Sequence, residues 1–401
     1  MRLVAWLTLV VGCDPTEPSD DAGADADADT DADADADTDT DADTDTAVEE
    51  HTGILVIEDR VFDEDHVLVI PDGDALQLVA RDGTAVWRRT WTELFGDCSL
   101  CGGEGASADG DGLLVSFTTT GPTTGGAIGR LGPAGTADFR LDGFLFPHDA
   151  IRDPADDTVI VPQVGNNQVV WVAGDGSSSE PVRALDTQDP GWAAATPNGG
   201  ELLRDHGRVY LLVSHRGAIG GGPVPFEGPM YSGLLSMWDV TDPAAPTSLW
   251  RFPEDGALAT PHGAVIREWN GERWLLWAHS DGAEDGSSTI GVALLPDPDQ
   301  PPTYVADLVP NGVAAPFDFL RGVELTSDGE LWLTDSGPGG GAGTIGNRGR
   351  LLTARMPVLA ATGASGALPD GQVFEDLPVT LVRSNLDNPF EGWLWKPTFP
   401  L

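Results

Sequence analysis

The feature that most constrains the fold of this 401-residue chain is a repeating unit of short apolar runs. Five copies begin near Glu104, His148, Gly200, His262 and Arg321, roughly 45 to 60 residues apart. Each copy leads from a first strand through a polar turn into a more apolar second strand, then through a glycine-rich loop into a third strand. Repeats of this length with several strands each are typical of propeller blades, small sheets that stack on their neighbours to bury their faces.

Turn residues separate the runs and argue against helices. Asp82-Gly83, Asp175-Gly176, Asn270-Gly271 and Asp328-Gly329 are dipeptides of tight hairpin turns. The chain contains 51 Gly and 31 Pro, and its body keeps no 3.6-residue apolar period. With a sixth unit over residues 54–91, the sequence predicts an all-β fold, a β-propeller of six blades. Five or seven blades and a two-sheet sandwich are the alternatives.

The first residues predict an exported protein with a lipid anchor. Arg2 precedes an apolar run, and Gly12 precedes Cys13. A charged start, a short apolar core and a small residue before the cleavage point indicate an export signal. The following cysteine resembles bacterial lipoprotein signals, which implies a signal peptide over residues 1–12 and lipidation of Cys13. An ordinary secretory peptide with a chance cysteine is the alternative. We expect the protein in the cell envelope, facing the periplasm or the cell exterior.

Residues 13–50 predict a disordered acidic linker ahead of a folded domain over residues 51–401. Asp alternates with Ala or Thr from Asp25 to Thr46, and no Lys or Arg occurs between Asp14 and Glu50. Like charges at every second position repel, and the segment has little apolar surface to bury. Ordered calcium loops need a turn-forming Gly and a bidentate acidic closure, which the tract lacks, so we expect loose counterion binding.

The charge of the chain restricts its partners. It has 65 acidic and 21 basic residues, for a net charge of −44. Nucleic acids and anionic membrane surfaces are therefore disfavoured as partners. We expect membrane contact through the N-terminal lipid only, a monomeric state and no cofactor.

Cys98 and Cys101 predict a local disulfide, since two thiols close together in an oxidising compartment pair most simply with each other. A c-type haem would need His where Gly102 stands, and a tetrahedral metal site would need two more ligands. A redox or metal role is the alternative to the structural disulfide.

Three polar residues occupy equivalent points of three units and predict a site on the propeller axis. His148, His262 and Arg321 all belong to first strands, which converge on the axis of a propeller. Arg presents a planar fork to sulfate, phosphate or carboxylate, and His acts as base or nucleophile near neutral pH. His279 and His215 end second strands and are further candidates. Alternatively, His148 and His262 cap strand ends by hydrogen bonding to neighbouring blades.

The motifs Phe146-Pro147-His148-Asp149-Ala150 and Pro261-His262-Gly263, with Arg321 and the turn from Asp82 to Trp87, resemble the arylsulfotransferase-like β-propellers of bacterial envelopes. The resemblance covers most of residues 54–355. It implies transfer of a sulfuryl group between phenols through a sulfated histidine, without a nucleotide donor. Matched by position, His262 or His148 would be the nucleophile and Arg321 the anion clamp.

The sequence also departs from that family, because a full set of axial histidines is missing and one unit offers Asn198-Gly199-Gly200 instead. We therefore favour a propeller that binds a small anionic or aromatic ligand, or a partner, at its central channel. Sulfuryl transfer is the first alternative. The second is a metal-dependent hydrolase of the lactonase kind that uses acids such as Asp149 and Glu324. The glycine-rich stretches 217–222 and 337–343 are interpreted as loops between strands, since neither carries the Lys of a phosphate loop.

Overall fold

The computed structural model of this chain describes residues 55–58, 60–62, 67–98, 100–119, 125–153, 155–185, 196–216, 233–254, 258, 260–280, 287–312, 317, 319–336, 349–360, 374–386 and 393–394. The signal peptide, Cys13, the acidic linker and both glycine-rich stretches fall outside the described residues. Within them, no helix is long or apolar enough to cross a membrane.

The described chain is all-β, and its strands are short. In its first half they are β1 (Leu55–Ile57), β2 (Arg60–Phe62), β3 (Val67–Pro71), β4 (Ala75–Ala80), β5 (Ala85–Thr90), β6 (Gly102–Asp109), β7 (Gly112–Thr118), β8 (Gly126–Leu131), β9 (Ala137–Phe144), β10 (Ile151–Asp153), β11 (Thr158–Gln163), β12 (Gln168–Ala173) and β13 (Arg183–Leu185). In its second half they are β14 (Thr196–Asp205), β15 (Arg208–Arg216), β16 (Leu234–Asp239), β17 (Thr247–Phe252), β18 (Thr260–Trp269), β19 (Glu272–Ser280), β20 (Thr289–Leu294), β21 (Thr303–Asn311), β22 (Leu320–Leu325), β23 (Glu330–Asp335), β24 (Gly349–Arg355), β25 (Phe374–Leu386) and β26 (Trp393–Leu394).

Consecutive strands pair antiparallel in groups of four. The groups β6–β9, β10–β13 and β14–β17 each form a separate four-stranded sheet in sequence order. Within the groups β18–β21 and β22–β25 the strands also pair in sequence order. A parallel pairing of β21 with β25 joins these two groups into one eight-stranded sheet. The predicted all-β architecture of repeated antiparallel sheets is thus confirmed.

The unit expected over residues 54–91 is built differently. Its sheet has the order β26-β3-β4-β5, so its first strand comes from the other end of the chain. Trp393 of β26 pairs with Val69 of β3, whereas β1 pairs with β2 in a hairpin of their own. The strand near the C-terminus occupies the edge of β3 that a local hairpin would otherwise have taken. One sheet therefore ties together the beginning and the end of the described chain.

Hairpin turns adopt the left-handed backbone that the sequence predicts. Asn270 and Gly271, between β18 and β19, have φ angles of 55° and 79°. Two consecutive positive φ values match the twist of antiparallel strands and favour Asn-Gly. The described helices are α1 (Trp91–Phe95), whose N-terminus Thr90 and Glu93 close with a capping box, and a 3₁₀ turn at Val164–Asn166.

Apolar side chains from consecutive sheets pack into six clusters, which form the core of the described residues. Each cluster mixes residues of two neighbouring groups, as in the pairs Leu78 with Phe117, Ile128 with Val161, Trp171 with Val213, Leu212 with Trp277, Leu276 with Leu333, and Val79 with Trp332. The last of these joins the β22–β25 group to the sheet that contains β26. Large apolar faces are thus buried between groups rather than within one of them.

The first strands of successive groups lie side by side. β6 contacts β10, β10 contacts β14, β14 contacts β18, β18 contacts β22, and β22 contacts β26. β3, which pairs with β26 in the same sheet, contacts β6, so the series of contacts returns to the group in which it began. Residues at matching positions of these strands are therefore gathered in one region.

The predicted disulfide is confirmed. Cys98 and Cys101 are bonded, with their Cα atoms 5.0 Å apart. Both are buried in the same apolar cluster as Trp91 and Phe117, between α1 and β6.

Candidate functional site

Six polar residues from five neighbouring strand groups meet where the first strands lie side by side. We call this set the hub, and it consists of Glu104, His148, Asn198, Arg216, His262 and Arg321. All except Arg216 are buried. Arg216 ends the second strand of its group and is partly exposed. The three residues predicted to face one volume, His148, His262 and Arg321, are all members of this set.

Each hub residue of a first strand lies in a β-bulge or a similar irregularity of the strand pairing. The pairing register shifts between Gly103 and Gly105, between Pro197 and Gly199, between Pro261 and Ala264, and between Leu320 and Gly322. Glu104, Asn198, His262 and Arg321 are the residues within those shifts. A bulge leaves a residue outside the ladder and re-aims its side chain. His148 is placed similarly, because three residues separate the paired Pro147 and Ile151 while two separate their partners Gln163 and Ile160.

Glycine beside the bulge permits close approach of the neighbouring group. A Cβ atom on Gly105 would lie 2.4 Å from the main-chain oxygen of His148. Any side chain at that position would push the first strands of two groups apart. The bulge and its glycine therefore bring Glu104 next to His148, with Glu104 Oε2 3.7 Å from His148 Nε2.

Asn198 fixes which nitrogen of His262 carries the proton. The amide nitrogen Nδ2 of Asn198 lies 2.7 Å from His262 Nδ1 and 3.3 Å from the carbonyl oxygen of Pro261. A carbonyl oxygen only accepts, so the amide turns its N–H₂ group toward this side and donates to Nδ1. The neutral imidazole then carries its proton on Nε2, which is buried and has no hydrogen-bond partner among the described residues. His262 thus presents an N–H donor.

Aromatic rings pack against both imidazoles. Phe146 meets His148 edge to face at 4.6 Å between ring centroids, and Phe319 meets His262 in the same way at 4.9 Å. The guanidinium of Arg321 lies over Phe319, 4.8 Å from its centroid. Arg321 is therefore held by a cation–π contact beside His262. The two imidazole centroids are 6.4 Å apart.

The electrostatics of the hub keep both imidazoles neutral. Burial, followed by the charges of Arg216 and Arg321, holds the pKa of His148 well below its usual value. Burial and the same two arginines also hold the pKa of His262 well below its usual value, and His148 adds to the effect. Burial disfavours the charged form of an isolated group, and nearby cations disfavour a third positive charge.

The pKa values of Glu104 and Arg216 are shifted as well. Burial raises the pKa of Glu104 well above its usual value, against the opposing charges of Arg321 and Arg216. Burial lowers the pKa of Arg216 to about 10, against the opposing charge of Glu104, so this guanidinium stays charged at neutral pH. Two cations face a single acid. Counted over these six residues alone, the net charge is +1 when Glu104 is ionised and +2 when it is protonated.

His279 and His215 make their contacts inside their own sheets. His279 Nδ1 lies 3.3 Å from Asp307 Oδ1, and Asp307 also accepts from the hydroxyl of Tyr304 at 3.1 Å. His215 Nε2 lies 2.7 Å from Ser236 Oγ. Both imidazoles thus have a hydrogen-bond partner on another strand of their own sheet.

The acids considered for a metal site are held by other partners. Glu324 pairs with Arg267, at 2.6 Å between Oε2 and Nη2, and Arg267 also pairs with Glu201. Asp149 Oδ1 accepts a hydrogen bond from the main-chain N–H of Ala150 at 2.8 Å. Within the described part of the chain, no group of three or more His, Cys, Asp or Glu side chains is arranged to hold a metal ion.

Glu104, Asn198 and Arg216 were not predicted as site residues from the sequence. A signal for the first two was present, because Glu104-Gly105, Asn198-Gly199, His262-Gly263 and Arg321-Gly322 all place a polar residue before glycine at matching points of their units. No comparable signal marks Arg216, which ends a second strand.

Comparisons with known proteins place the chain in no family. No family model matches it, and no curated protein matches it. Among solved structures, it is similar to hydrazine synthase of Kuenenia stuttgartiensis, with 13% identity over 76% of each chain and a TM-score of 0.45. It is also similar to a putative 6-phosphogluconolactonase from Bacteroides fragilis NCTC 9343, with 9% identity over 80% of this chain and 99% of that chain and a TM-score of 0.42. A protein of unknown function from Bacteroides caccae aligns with 13% identity over 61% of this chain and 77% of that chain, with a TM-score of 0.40. These identities and TM-scores are too low to carry an argument about fold or activity.

Proposed function

We propose that this protein is a lipid-anchored, six-bladed β-propeller of the cell envelope that binds a small anionic ligand at its hub. The contacts that run from β6 through β10, β14, β18 and β22 to β26, and from β3 of the same sheet back to β6, support six blades. The export signal and Cys13 support the anchor. The arylsulfotransferase-like motifs include His148, His262 and Arg321, which lie at the hub.

The observation that carries anion binding is the presence of two arginines beside the buried imidazoles of the hub. Arg216 and Arg321 face one acid, Glu104, in a chain whose overall charge is −44. Two neighbouring guanidinium groups in a largely buried region would stabilise a bound anion. The N–H of His262 Nε2 and the buried Nε of Arg216 both have no hydrogen-bond partner among the described residues. These donors suit the oxygens of a carboxylate, sulfate or phosphate group.

Binding is better supported than sulfuryl transfer through His262. A nucleophilic imidazole needs a free lone pair directed at the reacting atom. The lone pair of His262 is on Nδ1, where the amide of Asn198 donates to it. A sulfuryl-transfer reaction at the hub would therefore depend on His148.

Calorimetric titration of the full chain with phenyl sulfate and with phenol tests the proposal. We expect phenyl sulfate to bind and phenol to bind far more weakly. Arg321→Met keeps a similar side-chain length and removes the charge, so it should lower phenyl sulfate affinity about 10- to 100-fold, as for loss of a hydrogen bond to a charged group. Arg81→Met, at a more exposed arginine paired with Asp328 and Glu330, is the matched control. Equal affinities for Arg321→Met and the parent protein, with unchanged circular dichroism, would refute an anion site here.

Metabolic labelling with a fatty-acid analogue tests the anchor. We expect the label on the parent protein and none on a Cys13→Ser variant. A label that persists in the variant would contradict lipidation at Cys13.

A further inference from the structure

The chain contains three Asn-Gly pairs, and the structure places them in three different surroundings. They are Asn198-Gly199, Asn270-Gly271 and Asn311-Gly312. Asparagine is a thermolabile residue, and a following glycine leaves its main-chain nitrogen unshielded by a side chain. Because the dipeptide is the same in all three places, its surroundings decide which copy reacts.

Asn270 and Gly271 form the exposed two-residue turn between β18 and β19. The last ladder pair before the turn joins Trp269 to Glu272, so neither turn residue takes part in strand pairing. The side-chain amide of Asn270 and the main-chain N–H of Gly271 have no hydrogen-bond partner among the described residues. A Cβ atom on Gly271 would meet nothing within 4 Å. This turn therefore leaves room for both groups to move and for water to enter.

From this arrangement we propose that Asn270 is a site of spontaneous covalent modification. The main-chain nitrogen of Gly271 attacks Cγ of Asn270. A nitrogen–carbon bond forms, the carbon–nitrogen bond of the side-chain amide breaks, and ammonia leaves with the proton of the glycine nitrogen. Water then opens the cyclic imide at either carbonyl and gives aspartate or isoaspartate, so no oxidant or reductant takes part. This inference is independent of ligand binding at the hub.

The attack requires the turn to leave its left-handed conformation, in which the φ angles of Asn270 and Gly271 are 55° and 79°. Fraying at the end of a hairpin is among the least costly openings of a sheet, since it breaks few hydrogen bonds. Here it releases the pair of Trp269 with Glu272 alone. The reaction therefore proceeds without unfolding of the strand groups.

Asn198 is held in the opposite way. It is fully buried, and its amide nitrogen lies 2.7 Å from His262 Nδ1. Gly199 pairs with Ser214 inside the ladder of β14 and β15. Cyclisation at Asn198 would break the contact with His262 and separate two strands. Asn311 lies between these extremes, because it is partly exposed but pairs with β25.

The Asp-Gly turns are protected by hydrogen bonds of their own. The main-chain N–H of Gly83 donates to the carbonyl oxygen of Ala80 at 2.9 Å, and that of Gly329 donates to the carbonyl oxygen of Thr326 at 3.0 Å. The attacking nitrogen is thus engaged in both of these turns, whereas the nitrogen of Gly271 has no such partner among the described residues.

Peptide mapping by mass spectrometry of the full chain, incubated at mildly alkaline pH, tests the inference. Heavy-oxygen water marks each residue at which the imide has opened, and electron-transfer fragmentation separates isoaspartate from aspartate. In urea we expect the three pairs to react at similar rates. In the folded protein Asn270 should react first, at least about tenfold faster than Asn198. Asn270→Gly, which suits a turn with positive φ, should remove this product and leave the rate at Asn311 unchanged.

Two results would overturn the inference. In the first, Asn198 and Asn270 react at equal rates in the folded protein while circular dichroism shows no unfolding. In the second, Asn270 reacts in urea but not in the folded protein, so that the turn protects the amide instead of exposing it. Isoaspartate at position 270 of the folded protein, with Asn198 intact, supports the inference.

Discussion

The buried carboxyl of Asp149 makes the stability of the fold depend on pH. It follows His148 directly and is buried, with Oδ2 3.5 Å from the main-chain N–H of Gly200. Burial raises the pKa of Asp149 from 3.8 to about 7; hydrogen bonds from Ala150 and Gly200 oppose the rise, and Glu201 adds to it. The difference between these two pKa values corresponds to about 4 kcal/mol, at about 1.4 kcal/mol for each pH unit.

The raised pKa determines whether stability rises or falls with pH. A folded state that holds the proton more tightly is stabilised most below the unfolded pKa of 3.8, and the contribution is lost as pH rises through about 7. The amide introduced by Asp149→Asn is neutral at every pH. We therefore expect this variant to gain stability relative to the parent protein as pH rises, by about 3 kcal/mol between pH 5 and pH 8.

Urea unfolding of both proteins at pH 5 and pH 8 measures this difference. His148, His262 and Glu104 also titrate, but they are present in both proteins, so the difference isolates Asp149. Asp97→Asn, at an exposed acid, controls for the removal of one negative charge. A stability difference between Asp149→Asn and the parent protein that is the same at both pH values would refute the reasoning.

Three further predictions concern the scaffold around the hub. Arg267→Met should lower the free energy of unfolding by about 3–5 kcal/mol, because it removes the buried cation that pairs with the carboxylates of Glu201 and Glu324. A loss below about 1 kcal/mol in urea unfolding would argue against that pairing. Gly291→Ala should destabilise the protein by about 1–3 kcal/mol, since the new Cβ would lie 1.9 Å from the ring of Trp277; an unchanged thermal midpoint would contradict the close packing. Replacing both Cys98 and Cys101 by Ser should cost about 2 kcal/mol for so short a loop, while the affinity for phenyl sulfate stays the same; a large loss of affinity would link the disulfide to the hub.

Local pattern predicted the repeated sheets well, because each strand and turn depends on neighbouring residues. Val159-Ile160-Val161 lies in β11, and Asn270-Gly271 forms the expected turn. The pairing of β26 with β3 was not predicted, since it joins segments at opposite ends of the described chain and no local signal specifies such a partner. A strand of two residues, Trp393–Leu394, also has too little pattern to be recognised.

The site could be predicted only where the repeat itself marked it. His148, His262 and Arg321 were identified because they occupy matching points of their units. His279 also ended a second strand, yet its partner Asp307 lies on another strand of the same sheet. A sequence pattern places a residue along a strand, but the pairing of strands decides which side chain its imidazole meets. Arg216 was not predicted, because the sequence does not show which groups of other strands its side chain meets.

At each bulge, different residues of one strand pair with the neighbouring strand and present a side chain to the hub. Residues on either side of each bulge keep the ladder intact, while the looped-out residue takes no part in holding the sheet. Its side chain therefore meets the neighbouring strand groups rather than the partners of its own ladder. A Glu, an Asn, a His and an Arg already occupy four such points of one chain. One backbone device thus presents four chemically different side chains at equivalent points of the repeated sheets.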